Sequence, residues 1–149
     1  MSVRTKLTDA GLRAMNGVHR ALLAVSGGRV GWRAGRMAVV ELHTVGRKSG
    51  ARRSTMLTAP IHRNGRYFLV ASKGGDDRNP EWYANLCADP DVELTVRGTT
   101  RRFRARTASD AEKHELWPEI VASYPGYSVY QRRTSRNIPV VICEPVNEE

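Results

Sequence analysis

From residue 37 onward, the chain alternates short segments rich in apolar and β-branched residues with tight turns, and this alternation limits what it can fold into. One of the turns contains Asn64-Gly65, a strong local signal for a β-hairpin. Strands joined by turns this short run antiparallel, because a parallel pair needs a long crossover. The predicted strands are residues 37–44, 52–61, 67–72, 92–96, 101–107 and 138–143. The sequence therefore predicts a mainly β, or α+β, fold with a closed or half-closed antiparallel β-barrel, and it disfavours a doubly wound Rossmann sheet.

Two helices are predicted among these strands. Residues 81–88 follow Asn79, which is a favourable N-cap residue. Ser109 and Glu112 have the spacing of a capping box, and the helix that they begin is expected to reach about residue 123, with an interruption at Pro118.

The first 28 residues are predicted to contain a third helix, which is amphipathic and belongs to the same single domain, residues 1–149. Apolar residues recur there with a helical period, and Gly27-Gly28 supplies a stop. The basic opposite face favours ordinary solvent exposure, while peripheral contact with an anionic membrane stays open. No stretch approaches the roughly 20 apolar residues of a membrane span, so the protein is predicted to be cytoplasmic.

Positive charge is concentrated in one part of the chain. Lys and Arg number 24 against 15 for Asp and Glu, and between residues 29 and 66 the only acidic residue is Glu41. This local excess favours a partner that carries phosphate or carboxylate groups. Nucleic acid is disfavoured, because the chain has no zinc-finger spacing, no basic region followed by heptads and no aromatic RNA-binding signature.

Neither metal binding nor nucleophilic catalysis has a pattern to support it. Cys87 and Cys143 are far apart in the sequence and are predicted to be buried, reduced thiols. The four histidines show no paired ligand spacing, and no serine lies in a nucleophile elbow. Redox chemistry carried out by a bound cofactor requires none of these groups.

Two glycine-bounded basic turns suggest a pocket for an anionic ligand. The first turn holds Arg47, Lys48 and Ser49, and Arg53 can reach the same anion from the next strand. Taken alone, this turn is better interpreted as a solvated hairpin tip. The second turn, Ser72-Lys73-Gly74-Gly75, offers a hydroxyl, an ammonium and unhindered backbone amides, and the two turns together favour a ligand site.

Aromatic residues near these turns suit a flat ligand. Trp82 could cover a ring and Asn85 could hydrogen-bond to it, although a core role for Trp82 stays open. Tyr124, Tyr127 and Tyr130 fall three residues apart in a segment with glycine and proline, where they could form an aromatic wall facing a ligand. Packing is the better interpretation of that spacing alone.

Four motifs follow one another along the chain in a distinctive order. They are Leu42-His43-Thr44-Val45-Gly46-Arg47-Lys48-Ser49-Gly50, Val70-Ala71-Ser72-Lys73-Gly74-Gly75, Asn79-Pro80-Glu81-Trp82-Tyr83-Ala84-Asn85-Leu86 and Ile138-Pro139-Val140-Val141-Ile142-Cys143-Glu144-Pro145. Over residues 37–145 the chain resembles the deazaflavin-dependent nitroreductases of actinobacteria, in particular a mycobacterial branch with similar C-terminal tyrosines. The resemblance implies a split antiparallel β-barrel with an N-terminal helix and two further helices.

The resemblance also implies coenzyme F420, an 8-hydroxy-5-deazaflavin, as the cofactor. The implied phosphate contacts are Arg47, Lys48, Ser49 and Arg53, and the implied ring contacts are Met56, Leu57, Ala71, Ser72, Lys73, Trp82 and Asn85. At Met56 this chain departs from the family, which usually has a proline before Leu57.

The implied reaction is hydride transfer from the reduced coenzyme to a quinone, chiefly a menaquinone-like one, with nitroimidazoles and activated enones as incidental acceptors. Tyr124, Tyr127 and Tyr130 would line the substrate side. The implied catalytic residues are Tyr130, which would orient the substrate and donate a proton, and Ser72, which would hydrogen-bond near the ring. Two alternatives stay open: a split-barrel oxidoreductase that binds FMN, and a non-catalytic carrier of deazaflavin. The oligomeric state is not predicted.

Overall fold

The computed structural model describes residues 33–34 and 37–147, which form eight strands and three α-helices. The strands are β1 (Arg33–Ala34), β2 (Met37–Val45), β3 (Arg52–Ala59), β4 (Ile61–Arg63), β5 (Arg66–Val70), β6 (Asp91–Val96), β7 (Thr99–Thr107) and β8 (Val140–Pro145). The helices are α1 (Glu81–Ala88), α2 (Asp110–Ser123) and α3 (Gly126–Arg133). The helix predicted within residues 1–28 lies outside the described residues.

All strand pairs in the sheet are antiparallel, with the order β1-β2-β6-β7-β8-β5-β4, and β3 pairs with β2. β3 also approaches β5 without sharing a ladder with it, so the sheet curls into a half-barrel. The predicted antiparallel split barrel is therefore confirmed.

The hairpin between β4 and β5 forms where the sequence predicts it. Asn64 and Gly65 have φ angles of 54° and 73°, the left-handed values that a two-residue hairpin turn requires. These residues adopt such angles at little cost, because glycine has no Cβ and asparagine tolerates this region better than most residues.

Two clusters of buried apolar side chains hold the elements together. One lies inside the half-barrel and joins Leu42 of β2, Leu69 of β5 and Leu86 of α1. The other lies between β5, β8 and the two later helices, where it includes Ile120 of α2 and Tyr127 of α3. α1 is thereby fixed against the barrel interior, and α3 is fixed against the outside of the sheet.

Prolines account for two departures from the predicted elements. The strand predicted over residues 52–61 is divided at Pro60 into β3 and β4, since proline has no N–H for the ladder. Pro80, rather than Asn79, occupies the N-cap position of α1, so the prediction that Asn79 caps this helix is wrong. The Asn79 side chain instead accepts a hydrogen bond from Arg136, 2.9 Å from its Nη1.

The capping box of α2 is confirmed. The backbone N–H of Glu112 donates to Ser109 Oγ at 3.1 Å, and the backbone N–H of Ser109 donates to Glu112 Oε1 at 2.9 Å. The predicted interruption at Pro118 is wrong, because α2 continues through it to Ser123.

The segment after α2 also differs from its prediction. Residues 126–133 are helical, so the described residues contain three helices where the sequence predicted two in that region. α3 carries Tyr127 and Tyr130 one helical turn apart. The two tyrosines therefore lie on a helix, whereas the sequence predicted no regular structure for this segment.

Cys87 and Cys143 are both free thiols. Cys143 is buried as predicted, whereas the prediction is wrong for Cys87, which is exposed on α1 beside the inward-facing Asn85 and Leu86. Across residues 37–147 no helix is long and apolar enough to cross a membrane.

Candidate functional site

A pocket of about 370 Å³ lies where the turn between β2 and β3 meets the start of α1. Its lining residues are Thr44, Gly46, Arg47, Lys48, Ser49, Arg53, Ser54, Thr55, Glu81, Trp82 and Asn85. Six residues predicted from sequence as cofactor contacts therefore come together here: Arg47, Lys48, Ser49, Arg53, Trp82 and Asn85.

The turn between β2 and β3 is closed by its own backbone. Gly46 N–H donates to Ala51 O at 2.7 Å, and Gly50 N–H donates to Gly46 O at 2.8 Å. A Cβ on Gly46 would lie only 2.9 Å from Ser49 Oγ, so the turn leaves no room for a side chain at Gly46. Ser49 Oγ accepts from Ala51 N–H at 3.1 Å, which leaves its O–H able to donate to a ligand.

Asn85 connects this turn to α1. Its buried amide oxygen accepts from Arg47 Nη1 at 2.9 Å and from Arg47 N–H at 3.2 Å, while its Nδ2 donates to Thr44 Oγ1 at 3.4 Å. Both the oxygen and the nitrogen of the Asn85 side-chain amide are therefore hydrogen-bonded to other protein groups. Asn85 therefore fixes the position of the Arg47 backbone and side chain at the pocket wall.

The three cations at the pocket differ in what they contact. Arg47 Nη2 forms an ion pair with Glu81 Oε2 at 2.8 Å. A hydrogen bond from Arg47 holds the pKa of Glu81 below its ordinary value, with the charges of Arg47, Lys48 and Lys73 acting in the same direction. Lys48 and Arg53 form no ion pair with any residue that the structure describes. Among the described residues, the pocket thus has two cations, Lys48 and Arg53, that no ion pair compensates.

Trp82 supplies an aromatic surface beside these cations. Its indole is partly buried, packs against the core inside the barrel and meets Tyr83 edge to face, with ring centroids 6.4 Å apart. Trp82 therefore packs on the core and also lines the pocket, while its contact with a ligand ring stays a prediction. Cations and an indole in one concave site suit an anionic ligand with a flat ring.

The other predicted cofactor residues do not line this pocket. Met56 and Ala71 are buried, with exposed fractions of 1% and 0%, and Leu57 packs partly buried against the barrel core. Ser72 is buried and lies two residues after the end of β5, and Lys73 begins the 3-10 turn Lys73–Gly75. These residues lie on β3 and in the segment after β5. The charge of Lys73 still reaches the pocket, where it helps to lower the pKa of Glu81.

The three tyrosines form a cluster, as the aromatic-wall interpretation requires. Ring centroids are 5.3 Å apart for Tyr124 and Tyr127, and 6.2 Å apart for each of the other two pairs. Tyr124 is exposed and Tyr130 is half-buried. Tyr127 is buried, and its hydroxyl lies 3.0 Å from Thr58 Oγ1. The Tyr127 hydroxyl is therefore bonded within the protein, and its ring packs against those of Tyr124 and Tyr130.

Tyr130 keeps its proton at neutral pH. Burial raises the pKa of Tyr130 to about 12, and the hydrogen bond with Tyr124, whose hydroxyl is 3.4 Å away, acts in the same direction. The guanidinium of Arg133 lies over the Tyr130 ring, 5.7 Å from its centroid. Tyr130 is therefore a neutral O–H donor at the edge of the cluster.

Sequence reasoning missed several residues at these sites, among them Thr55, Glu81 and Arg136. Thr55 follows Arg53 by two positions on β3, so strand alternation would have placed it on the same face. Glu81 precedes Asn85 by four positions on α1, so helical periodicity would have identified it. Arg136 contacts the loop after β5, and no local pattern indicates it. Within the described chain, no group of three or more His, Cys, Asp or Glu side chains is placed to hold a metal ion.

Comparison with known proteins gives consistent results. The family model for F420H(2)-dependent quinone reductases matches residues 15–145. The chain is 42% identical over 133 residues to the F420H(2)-dependent quinone reductase of Mycobacterium tuberculosis H37Rv, covering 84% of this chain and 86% of that protein.

Among solved structures, one described as an F420-H2 dependent reductase, FDR-A, superposes with a TM-score of 0.65 and 39% identity. It covers 71% of this chain and 93% of its own length. Another, described as a domain-swapped dimer, has the same TM-score and identity and covers 71% of this chain and 79% of its own.

Proposed function

This chain belongs to the F420H(2)-dependent quinone reductase family, and from that premise we propose that it transfers a hydride from reduced coenzyme F420 to a quinone. One observation supports the cofactor assignment most directly: Lys48 and Arg53 converge, without ion pairs in the described chain, on a pocket that Trp82 also lines. Coenzyme F420 combines an anionic phosphodiester with a flat tricyclic ring, so the donor set fits the group.

The pocket residues bind and orient the coenzyme. Lys48 and Arg53 are proposed to hold the phosphate, together with the Ser49 hydroxyl and the Arg47 guanidinium, and Trp82 to lie against the ring system. When bound, the reduced coenzyme supplies the hydride. Met56, Leu57, Ala71, Ser72 and Lys73 are proposed as further contacts on the ring side, with Ser72 as a hydrogen-bond partner.

The tyrosine cluster is proposed to hold the acceptor. Tyr130 is protonated at neutral pH and half-buried, so its O–H can orient a quinone carbonyl and donate the proton that accompanies hydride addition. Tyr124 can hydrogen-bond to the Tyr130 hydroxyl and so hold it in place, while the ring of Tyr127 packs against both other rings. A hydride and a proton together reduce a quinone to the hydroquinone.

Further properties are proposed on the resemblance and the sequence pattern. A menaquinone-like compound is the proposed acceptor, with nitroimidazoles and activated enones as secondary ones. We also propose a cytoplasmic protein in which the amphipathic segment within residues 1–28 provides peripheral contact with the membrane that holds such a quinone.

The test combines binding with turnover. Purified protein is titrated with F420, and oxidation of the reduced coenzyme is followed with menadione as acceptor. We expect Tyr130→Phe to lower kcat on the order of 100-fold and to leave the coenzyme Kd unchanged, because only proton donation is lost. The control is Tyr83→Phe, which removes a phenol bonded to Thr107 Oγ1 at 2.9 Å.

Two results would favour the alternatives. Binding of FMN without binding of F420 would favour a flavin-dependent split-barrel oxidoreductase. Binding of F420 without turnover, on a panel that includes menadione and a nitroimidazole, would favour a coenzyme carrier. Undiminished turnover in Tyr130→Phe would remove that residue from the mechanism without changing the cofactor assignment.

A further inference from the structure

Arg136 follows α3 and reaches back across the surface to the loop between β5 and α1. Its Nη1 donates to Ala71 O at 3.1 Å, its Nη2 donates to Ser72 O at 2.8 Å, and its Nε donates to Asp76 O at 2.8 Å. Nη1 also donates to the side-chain oxygen of Asn79 at 2.9 Å. One guanidinium thereby holds both ends and the middle of residues 71–79.

The loop that Arg136 contacts contains left-handed backbone, a conformation that is unfavourable for residues other than glycine. Lys73, Gly74 and Gly75 have φ angles of 46°, 63° and 84°, so three consecutive residues are left-handed. Lys73 carries a Cβ, and such a residue stays in this region only when its surroundings enforce it. Strain of this kind is common where a loop contacts a ligand.

α3 shapes the same loop from the other side. Arg133 Nη1 donates to Gly74 O at 3.2 Å. A Cβ on Gly75 would lie 2.8 Å from both Tyr130 O and Arg133 Cβ, so α3 packs directly on the loop backbone. Since Arg133 also lies over the Tyr130 ring, the loop is held by the helix that carries the proposed acceptor residues.

We propose that Arg136 is a positioning residue that holds the loop of residues 71–79 in the conformation that receives the coenzyme ring. The proposal rests on the proposed function, because Ser72 and Lys73 of this loop are its ring-side contacts. Four acceptors surround one planar fork, and a lysine ammonium at the same position is a single point donor that cannot span them. The role therefore requires arginine and not merely a positive charge.

The experiment compares Arg136→Lys and Arg136→Gln with the wild type. The matched control is Arg132→Gln, which changes an exposed arginine of α3 whose side chain makes no hydrogen bond or ion pair with the described residues. Three quantities are measured: amide hydrogen exchange of the coenzyme-free protein, the Kd for F420, and the denaturation midpoint.

In both Arg136 variants we expect at least a tenfold faster exchange in residues 71–79, with exchange in β2 and β6 unchanged. We expect the Kd for F420 to rise at least tenfold, and Arg132→Gln to match the wild type. Wild-type affinity in Arg136→Lys would mean that charge alone is sufficient and would contradict the proposal. Faster exchange throughout the sheet would indicate a general stabilising role and would also contradict it.

The outcome is separable from that of the proposed function. If the wild type does not bind F420, the proposed function fails. If the wild type binds F420 and the Arg136 variants bind equally well, the proposed function stands and the positioning role fails. The hydrogen-exchange measurement needs no coenzyme. It therefore tests whether Arg136 stabilises the loop of residues 71–79 whether or not the wild type binds F420.

Discussion

Glu81 is the acidic residue in the pocket lining, and its carboxylate occupies Arg47 at 2.8 Å. A bound phosphate would therefore compete with Glu81 for this guanidinium. The Arg47 hydrogen bond holds the pKa of Glu81 below its ordinary value. The Glu81 carboxylate is therefore charged at pH 7 and competes there with a bound phosphate. The glutamate thus weakens the pocket for anions while orienting Arg47.

Replacing this carboxylate should strengthen coenzyme binding. We expect Glu81→Gln to lower the Kd for F420 about two- to fivefold at low salt, since exposed ion pairs contribute at most about 1 kcal/mol. Glu119→Gln is the control, because it removes a half-exposed carboxylate that pairs with Arg63 on another surface. A weaker affinity in Glu81→Gln, measured by fluorescence titration, would show that Glu81 helps to form the site.

The pocket residues that carry short-range signals were predictable from sequence. Arg47, Lys48 and Arg53 belong to one hairpin, so their convergence follows from the turn and the strand after it. The burial of Tyr127 was not predictable, because three-residue spacing does not show which side of α3 faces the sheet. The Arg136 contacts were not predictable either, since they join positions 57 to 65 residues apart in sequence.

At the scale of elements, the start of α2 depends on one carboxylate. Hydrogen bonding from Arg106, followed by that of the Ser109 backbone, lowers the pKa of Glu112 to about 2 from an ordinary value of 4.5. A carboxyl whose pKa is depressed in the folded state stabilises it above pH 4.5, and this contribution is lost as the pH falls toward 2.

Glu112→Gln should therefore destabilise the protein at neutral pH. Glutamine can preserve the capping box but loses the charge that faces Arg106, so we expect a loss of about 0.5–1 kcal/mol at pH 7 for this partly exposed group. In urea unfolding the loss should shrink steadily below pH 4.5. Glu115→Gln, an exposed change on the same helix, is the control. A deficit that persists unchanged at pH 3 would argue against the charge as its cause.

The elements themselves were predictable to different degrees. Strand alternation and the Asn64-Gly65 turn specified the hairpins, because both act within a few residues. α3 was missed because it begins with Gly126 directly after Pro125, two residues that are typical of turns, and because the helix is fixed by packing of Tyr127 in the core. Pro118 was expected to interrupt α2, but the continuous helix shows that the surrounding packing prevailed over local propensity.

At the scale of the whole molecule, the net charge of +9 raises the question of which cations act on the coenzyme. Many arginines are already compensated: Arg52 pairs with Glu93, and Arg106 pairs with Glu112 and Glu144. Lys48 and Arg53 have no ion pair in the described residues and line the pocket. Local geometry, and not total charge, should therefore determine the affinity for an anionic coenzyme.

The dependence of affinity on salt can separate local from global charge. Raising NaCl shortens the screening length from about 10 Å at 0.1 M to about 3 Å at 1 M, so the Kd for F420 should rise across that range. We expect Lys48→Gln and Arg53→Gln each to weaken binding at low salt and to flatten this dependence. Arg97→Gln removes the same charge in the turn between β6 and β7, at the opposite end of β6 from the pocket, and should leave the slope unchanged. Equal flattening by all three substitutions would show that net charge, and not the pocket, attracts the coenzyme.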